Sequence, residues 1–257
     1  MRPFHTQTMR FPARLRQLGL RLSLAMLEAG IAWTRAVGDR VALVEDLLEA
    51  GRLQGESGHL GEAELCFTEA RGLALQLRDE YLTSRSNVQL ASSLMVRNEF
   101  EEAADLLKSS LPALRKSHQS TFLIDALLRL AYANNNQAKW AEAIHCFEEA
   151  IPLAVAARDT RRLMFALDDM GGIAYRQRDF ETAESYWRWG LDVSKSRRDK
   201  AYEAKFSFFL AVALHKGGRV DSVRDLLVRS QGLYSSLGQQ KLADRSDRFI
   251  RNELGVR

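Results

Sequence analysis

The sequence predicts an all-α fold, a solenoid built from antiparallel helix pairs. Two observations carry this prediction. One pattern of residues returns every forty positions through five periods without a gap, and within each period apolar residues recur at the spacing of one helical face. A fixed period of this length is typical of proteins whose helical units stack on their neighbours. The composition, with 46% apolar and 27% charged residues, is that of a soluble globular protein.

The stretch from Lys139 to Asp159 shows the pattern most clearly. When it is read as a helix, Trp140, Ala143 and Phe147 fall on one face, and large and small side chains alternate along it. Small residues let a neighbouring helix approach closely, while aromatic rings fill the space between the helices. This face is therefore expected to pack against other helices.

The same alternation of large and small residues marks every period. The small residue at 143 has counterparts at intervals of forty positions: Ala63, Ala103, Ala183 and Val223. The large residue at 147 has the counterparts Phe67, Leu107, Trp187 and Leu227. Twelve positions before each small residue stands another one: Gly51, Ala91, Ala131, Gly171 and Ala211. Because each slot keeps its size class, we predict that the helices of every repeat interlock in the same way.

The register divides the chain into elements. Residues 1–12 lack the pattern and contain two prolines, so they are predicted to be a disordered arm. Residues 13–254 are predicted to form a single domain, in which each repeat has a first helix (40–56 in the first repeat) and a second helix (59–77). Its parts are a half repeat over 13–37, repeats over 40–78, 80–118, 120–158, 160–198 and 200–238, and a charged C-terminal capping helix over 240–254.

Turn residues separate the predicted helices. Between the two helices of each repeat stand Gly58, Asn98, Ala138, Arg178 and Gly218, and Gly or Asn commonly ends a helix in the left-handed conformation. Between repeats come Arg-Asp pairs such as Arg158-Asp159. The Asp is expected to cap the next helix, and the Arg is expected to lie at the C-terminus of the preceding helix, where the helix dipole favours cations.

The size-matched slots (Gly51, Ala63, Phe67, Ala70 and their equivalents) resemble the tetratricopeptide repeat over about residues 40–238. Members of that family stack helix pairs into a right-handed superhelix. The period here is forty positions rather than the usual ~34. This variant is similar to the long-helix repeats of bacterial MalT/LuxR-type regulators and of the sensor regions of signalling ATPases. The resemblance implies a non-catalytic scaffold or adaptor that binds a protein or peptide in a concave groove, as part of a bacterial regulatory system.

In the family, the first helix of each repeat lines the groove. The outward slots of these helices change type from repeat to repeat, as expected where a partner rather than packing selects the residue. The predicted groove residues are Arg85, Gln89, Asp125, Arg129, Tyr132, Asn135, Asn136, Phe165, Asp169, Tyr175, Lys205 and Phe209. Arg and aromatic side chains are common interface anchors. The alternative interpretation is that these are solvated residues that vary freely.

A basic edge is predicted where repeats join. It consists of Arg158, Arg161, Arg162, Arg197, Arg198 and Lys200. An acidic partner is one interpretation of this edge. The other is that these charges compensate the C-terminal ends of helices, with Asp159 and Asp199 nearby.

Nucleic-acid binding through the Arg-rich N-terminus and the basic edge is the alternative function. The net charge of +4 and a pI near 9.2 favour it. However, the first 27 residues hold five Arg and no acid, and the rest of the chain has 32 basic and 33 acidic residues. Nucleic acid is therefore the less favoured partner. The Arg-rich start is also typical of a targeting segment, although its helix already fits the repeat frame.

Other functional classes lack support in the sequence. There is no Gly-rich phosphate-binding loop, and the five histidines are spread over different repeats, so no enzyme, cofactor, metal or small-molecule substrate is predicted. Cys66 and Cys146 share a packing slot two repeats apart, so free thiols and a reducing, cytoplasmic location are expected. No stretch reaches the roughly 20 apolar residues of a membrane span. A homodimer through the N-terminal helix is a further expectation.

Overall fold

The computed structural model describes residues 13–117 and 119–254, and this part of the chain forms twelve α-helices and no strand. The all-α fold is therefore confirmed. The helices are α1 (Ala13–Val37), α2 (Arg40–Glu56), α3 (Leu60–Leu77), α4 (Glu80–Val96), α5 (Phe100–Lys116), α6 (Ser120–Asn136), α7 (Trp140–Ala156), α8 (Thr160–Arg176), α9 (Phe180–Ser196), α10 (Lys200–Lys216), α11 (Val223–Ser236) and α12 (Gln240–Glu253). The arm predicted over 1–12 lies outside the described residues.

The chain divides into two compact units, Met1–His118 and Gln119–Arg257. The first unit contains α1 to α5 and the second contains α6 to α12. Within each unit every helix packs against the next one along the chain, and first helices of successive repeats also meet, α2 with α4 and α8 with both α6 and α10. Each unit is thus a row of helix pairs, and a single continuous domain over 13–254 stays a prediction.

Residues with left-handed backbone recur at multiples of 20 positions near the ends of helices; position 118 lies outside the described residues. These residues are Gly38, Gly58, Arg78, Asn98, Ala138, Arg158, Arg178, Arg198, Gly218 and Gly238. After each of them, the next N–H group bonds to the carbonyl five residues back, as from Asp159 to Ala154 at 2.9 Å. This is the hydrogen bond of a Schellman motif, which satisfies a carbonyl left open at the helix end. The left-handed ends predicted at Gly58, Asn98 and Gly218 are confirmed.

Aspartate caps start several of the next helices. Asp39, Asp79 and Asp159 each accept a hydrogen bond from the backbone N–H three residues on, and Asp199 accepts from Ala201 and Tyr202, both at 3.1 Å. The predicted role of Asp at repeat junctions is confirmed. One helix begins later than the register predicts: α11 starts at Val223, after Ser222, whose backbone is left-handed.

The interlocking slots are buried as predicted. The small slot occupied by Ala63, Ala103, Ala143, Ala183 and Val223 is at most 2% exposed in every repeat. The large slot occupied by Phe67, Leu107, Phe147, Trp187 and Leu227 is at most 5% exposed. Each repeat therefore buries one small and one large side chain at equivalent positions. These buried side chains contribute to the core of both units.

Glycine occurs where a ring lies directly against the helix backbone. A Cβ atom at Gly171 would stand 2.5 Å from Nε1 of Trp187, and one at Gly51 would stand 2.4 Å from Cε1 of Phe67. At Gly190 the nearest atom of Phe206 would be 2.4 Å away. These separations are shorter than any real contact, so each ring has its place only because the facing residue has no side chain.

Gly171→Ala tests this interlock. The added methyl group meets the Trp187 ring, and we expect the free energy of unfolding to fall by about 1–3 kcal/mol because the core is overpacked. The matched control is Gly172→Ala, the next residue of α8, where a Cβ would lie 4.0 Å from its nearest neighbour, Nη1 of Arg176. That variant should gain about 0.5–1 kcal/mol from helix propensity.

Urea unfolding of both variants checks the expectation. The double variant Gly171→Ala/Trp187→Phe copies the pairing of Ala131 and Phe147 in the preceding repeat, and should recover part of the loss because the smaller ring leaves space for the methyl group. Equal effects of the two single substitutions would contradict the interlock.

A second prediction concerns the left-handed helix ends. Ala138 has a φ of 57°, which strains any residue with a Cβ, whereas Gly218 in the equivalent turn has a φ of 76°. Ala138→Gly should raise the free energy of unfolding by about 0.5–1 kcal/mol, and Gly218→Ala should lower it by a similar amount. A Cβ at Gly218 would meet nothing within 4 Å, so backbone strain alone is measured. Shifts of the same sign in thermal unfolding would show that the turn conformation does not set stability.

Candidate functional site

The second unit contains a cavity of about 630 Å³ bordered by α8, α10 and α12, with one residue from α9. We call it the α8–α12 pocket. The lining residues are Asp168, Asp169, Gly172, Tyr175, Arg176, Trp187, Lys205, Phe208, Phe209, Val212, Arg245, Arg248, Phe249, Asn252 and Glu253. Except for Trp187, they come from first helices of repeats or from α12 in the equivalent position.

Repeat geometry explains why these side chains meet. Asp169, Phe209 and Phe249 stand forty positions apart, so they occupy one outward slot on three successive first helices. Lys205 and Arg245 share a second such slot. Because equivalent slots on stacked helices face the same side, the pocket wall is assembled from residues far apart in the sequence.

Aromatic rings form one part of the wall. Phe209 stacks on Trp187 with 5.2 Å between the ring centroids, and Tyr175 lies 5.9 Å from Trp187. Phe208 meets Phe209 edge to face at 5.4 Å. The Arg245 guanidinium lies 4.4 Å from the centre of the Phe208 ring, a cation–π arrangement. This part of the wall is therefore apolar, with a cation stacked on one of its rings.

Two neighbouring carboxylates are among the polar lining residues. Asp168 accepts a hydrogen bond from Nζ of Lys205, and burial raises the pKa of Asp168 even though Lys205 acts against it. Burial, and then the adjacent charge of Asp168, raises the pKa of Asp169 from its ordinary value near 3.8 to about 7. Oδ2 of Asp169 is shielded from solvent and has no hydrogen-bond partner among the described residues. The pocket wall thus includes a buried carboxyl oxygen whose hydrogen-bonding capacity the described residues do not satisfy.

Four of the predicted groove residues line this pocket: Asp169, Tyr175, Lys205 and Phe209. Of the others, Phe165 and Tyr132 contact each other with 6.4 Å between ring centroids, and Asn135 accepts a hydrogen bond of 2.6 Å from Nη2 of Arg176, a lining residue. The sequence therefore predicted one side of the site, and a ligand role for each residue stays a prediction.

The predicted groove residues on α6 are engaged within the protein. Asp125 accepts two hydrogen bonds from Arg162, at 2.7 Å from Nε and 2.8 Å from Nη2. Burial lowers the pKa of Arg129, while the nearby Asp125 acts in the opposite direction. Asn136 donates to the backbone oxygen of Tyr132 at 2.8 Å, so its amide folds back on its own helix. Structural contacts account for these side chains.

Arg85 and Gln89 belong to the first unit, on α4. Arg85 pairs with Glu45 of the preceding repeat through two hydrogen bonds, one of 2.8 Å between Nη2 and Oε2. Gln89 is half-buried. The two residues stand forty positions before the predicted groove residues Asp125 and Arg129. Arg85, however, forms an ion pair with Glu45 that connects two successive repeats.

The basic edge separates into two kinds of residue. Arg162 also bonds to Asp159, and its bonds to Asp125 come first among the causes that raise its pKa, so it belongs with the groove slots rather than with an edge. Arg161, Arg197 and Lys200 are exposed. Arg158 and Arg198 are exposed as well and hold the left-handed turn positions. Arg162 differs from the other predicted edge residues, because its guanidinium reaches across to Asp125 on the adjacent first helix.

The predicted set of groove residues did not include several lining residues. They are Asp168, Gly172, Arg176, Trp187, Phe208, Val212, Arg245, Arg248, Phe249, Asn252 and Glu253. The signal for some was present, since Arg245, Phe249 and Asn252 stand forty positions after Lys205, Phe209 and Val212. Because residues 240–254 were predicted only to be a capping helix, the contribution of α12 to the surface formed by the first helices was not predicted. No sequence signal marked Trp187, which reaches the pocket from a packing slot.

Further findings concern cysteines, metals and membranes. Cys66 and Cys146 are free, and burial raises the pKa of the Cys66 thiol. Within residues 13–117 and 119–254, no group of three or more His, Cys, Asp or Glu side chains is placed to hold a metal ion. None of the described helices is both long enough and apolar enough to cross a membrane.

The buried carboxyl of Asp169 predicts a pH-dependent stability. Its pKa is about 7 in the fold and about 4 in an unfolded chain, so the folded state binds a proton that the unfolded state has released. The free energy of unfolding therefore falls as pH rises from about 4 to 7. Asp169→Asn removes this loss, and relative to the native chain it should gain about 1–3 kcal/mol more at pH 8 than at pH 5.

Urea unfolding at the two pH values measures this difference. Asp192→Asn is the control, because Asp192 is exposed on α9. A gain for Asp169→Asn that is the same at both pH values would mean that the Asp169 carboxyl ionises normally.

Comparisons with known proteins agree with the repeat fold. The family model of anaphase-promoting complex subunit 5 matches residues 87–171, about a third of the chain. No curated protein matches the sequence.

Several solved structures are similar. BtubC (BKLC) from P. vanneervenii has a TM-score of 0.73 at 17% identity, over 85% of this chain and 92% of that one. The apo form of RapI has a TM-score of 0.68 at 15% identity, over 92% of both chains. The Rap conjugation gene regulator of plasmid pLS20, in complex with the Phr* peptide, has a TM-score of 0.60 at 11% identity, over 85% of this chain and 60% of that one. The chain described here has the fold of a tetratricopeptide-like helical repeat protein.

Proposed function

We propose that this chain is a non-catalytic adaptor of a bacterial regulatory system, located in the cytoplasm, and that it binds a protein or peptide partner through the α8–α12 pocket. One observation carries the proposal. The pocket is lined mainly by outward slots of first helices and α12, which change type from repeat to repeat while the packing slots keep theirs. Because residues at outward slots do not have to pack against a neighbouring helix, ligand binding can determine which residue types occur there.

The size of the pocket suits a few side chains. Its volume of about 630 Å³ lies within the range of ~300–1,000 Å³ that is usual for ligand sites. Such a volume holds two or three residues of a partner rather than a folded domain. A peptide, or one exposed segment of a protein, therefore fits the site better than a flat protein surface does.

The chemistry of the lining also suits a peptide. The rings of Trp187, Phe208 and Phe209 offer apolar contact, while Asp169 and Arg245 bring opposite charges into the same cavity. A peptide carries apolar side chains, hydrogen-bond donors and both kinds of charge on one short chain. The unpartnered Oδ2 of Asp169 favours a donor from the ligand, such as an ammonium or guanidinium group.

Similar structures support this proposal by analogy. The regulator of plasmid pLS20 was solved with the Phr* peptide. Shared fold does not determine a ligand, so the argument depends on the pocket residues of this chain.

Nucleic-acid binding remains the second candidate because the basic edge is largely exposed. Arg158, Arg161, Arg197, Arg198 and Lys200 are all exposed, whereas Arg162 is tied to Asp125 and Asp159. Binding through phosphate contacts would weaken steeply with added salt. Absence of any retarded DNA or RNA at about 50 mM salt would remove this candidate.

Peptide selection tests the proposal. The full chain is panned against a displayed library of random heptapeptides, and selected peptides are measured by fluorescence anisotropy. Asn252→Trp places a large ring in the pocket from an exposed position on α12, and we expect it to weaken binding at least tenfold. The control is Lys241→Trp, which adds the same ring at an exposed position of α12 outside the lining residues.

The selected peptides also test the role of Asp169. Replacing an Arg of the peptide by citrulline keeps its shape and removes its charge, so affinity should fall for the native chain and change little for Asp169→Asn. Failure to select any peptide, or equal binding by Asn252→Trp and Lys241→Trp, would overturn the assignment of the pocket as the binding site.

A further inference from the structure

The first helix exposes an unusual amount of apolar surface. Between residues 22 and 37 only Glu28 and Arg35 are charged. Four large side chains of this segment are mostly exposed: Leu22 at 60%, Met26 at 77%, Trp33 at 68% and Val37 at 53%. Their spacing places them in one stripe along α1. An apolar stripe of this kind is a packing surface rather than a solvated one.

Equivalent positions elsewhere confirm that this is a packing surface. Met26 and Trp33 stand forty positions before Cys66 and Leu73. In α3 those two residues are partly buried and pack against the hydrophobic core of the first unit. The equivalent positions of α1 are therefore of a kind that is packed against other residues in α3, but no described residue covers Met26 and Trp33.

A second stripe of small residues runs beside the large one. It consists of Ala25, Ala29, Ala32 and Ala36, all exposed, at spacings of four, three and four residues. This spacing keeps the methyl groups on one line, and small residues allow two helices to approach closely. Glu28 and Arg35 lie on the other flank of the alanine stripe. The face thus has an apolar flank, a small centre and a charged flank.

We propose that α1 of a second copy of this chain covers this face, in an antiparallel helix pair with its two-fold axis at Ala29. In that arrangement the alanine stripes meet at the centre. Met26 of each copy lies beside Trp33 of the other, and Leu22 lies beside Val37. All the large apolar side chains are then buried on one flank, and the charged residues of both copies stay together on the opposite flank.

The antiparallel direction follows from the order of the three stripes. A parallel pair has its two-fold axis along the helices, which would set Met26 and Trp33 of one copy against the flank with Glu28 and Arg35 of the other. Burying apolar rings beside charges loses the benefit of excluding water and leaves the charges poorly solvated. Because Arg35 also pairs with Glu69 of its own chain, that flank is already occupied. The antiparallel pair avoids this conflict.

The contact is one helix wide, so we expect a weak dimer that forms with increasing concentration. Sedimentation velocity of the full chain between about 1 and 200 μM measures it. Trp33→Glu should shift the midpoint of dimer formation at least tenfold to higher concentration, because it inserts a charge into the apolar flank. The matched control is Trp189→Glu, since Trp189 is 40% exposed on α9 and its loss should leave the dimer unchanged.

Disulfide trapping tests the direction of the helices. In the antiparallel pair only a residue at the axis meets its own copy, so Ala29→Cys should form a covalent dimer under mild oxidation. Ala36 lies seven residues from the axis, which separates the two copies of Ala36→Cys by about 21 Å, beyond disulfide reach. The chain without an added cysteine controls for Cys66 and Cys146.

Circular dichroism shows whether each variant keeps its helices. The proposal is overturned if the native chain is a monomer at 200 μM, which would mean that a different occupant covers α1, or if Trp33→Glu dimerises like the native chain. Efficient trapping of Ala36→Cys together with Ala29→Cys would indicate a parallel pair and would equally overturn the arrangement.

Discussion

The rest of the structure depends on how the helices end. Residues with left-handed backbone recur at multiples of 20 positions among the described residues, and after each of them the next N–H group bonds to the carbonyl five residues back. These turns end the helices at a regular interval and, at most junctions, reverse the chain within about three residues. Because every repeat has the same length of forty positions, each side chain returns to the same slot in the next repeat. The matched large and small slots can interlock only under this constraint.

Interlocking in turn divides the residues of each repeat into two classes. Packing slots such as those of Ala143 and Phe147 are fully buried, and each holds either small or large apolar residues in every repeat. Outward slots have no such demand, and in the second unit they assemble most of a pocket with an aromatic wall and the buried carboxyl of Asp169. A carboxyl with a pKa near 7 in that setting costs stability at neutral pH, and groups of this kind often mark functional sites. The pocket is thus the place where the repeat departs most from what folding alone requires.

Several features of the candidate site could be predicted, and others could not. Asp169, Tyr175, Lys205 and Phe209 were found because helical register determines which residues of a first helix point outward. The pairing of Arg162 with Asp125 was not predicted, because a long guanidinium reaches the adjacent first helix and no spacing within one helix reveals that contact. Trp187 joins the pocket from a slot that packs the core elsewhere, since its ring is larger than those of its counterparts and faces Gly171.

The sequence by itself determined the helix pairs, their boundaries and the faces they bury, because these follow from local hydrogen bonding and from a period that repeats without gaps. Aspartate caps and glycine at the turns were readable for the same reason. Only the tertiary structure decided which outward side chains contact each other, which of them form ion pairs within the protein and which carboxyl group is buried. These properties depend on distances between helices that lie forty or more positions apart in the chain. Ala138, Arg158 and Arg178 illustrate the difference: their left-handed backbone is imposed by the turn they complete, although their residue types do not favour it.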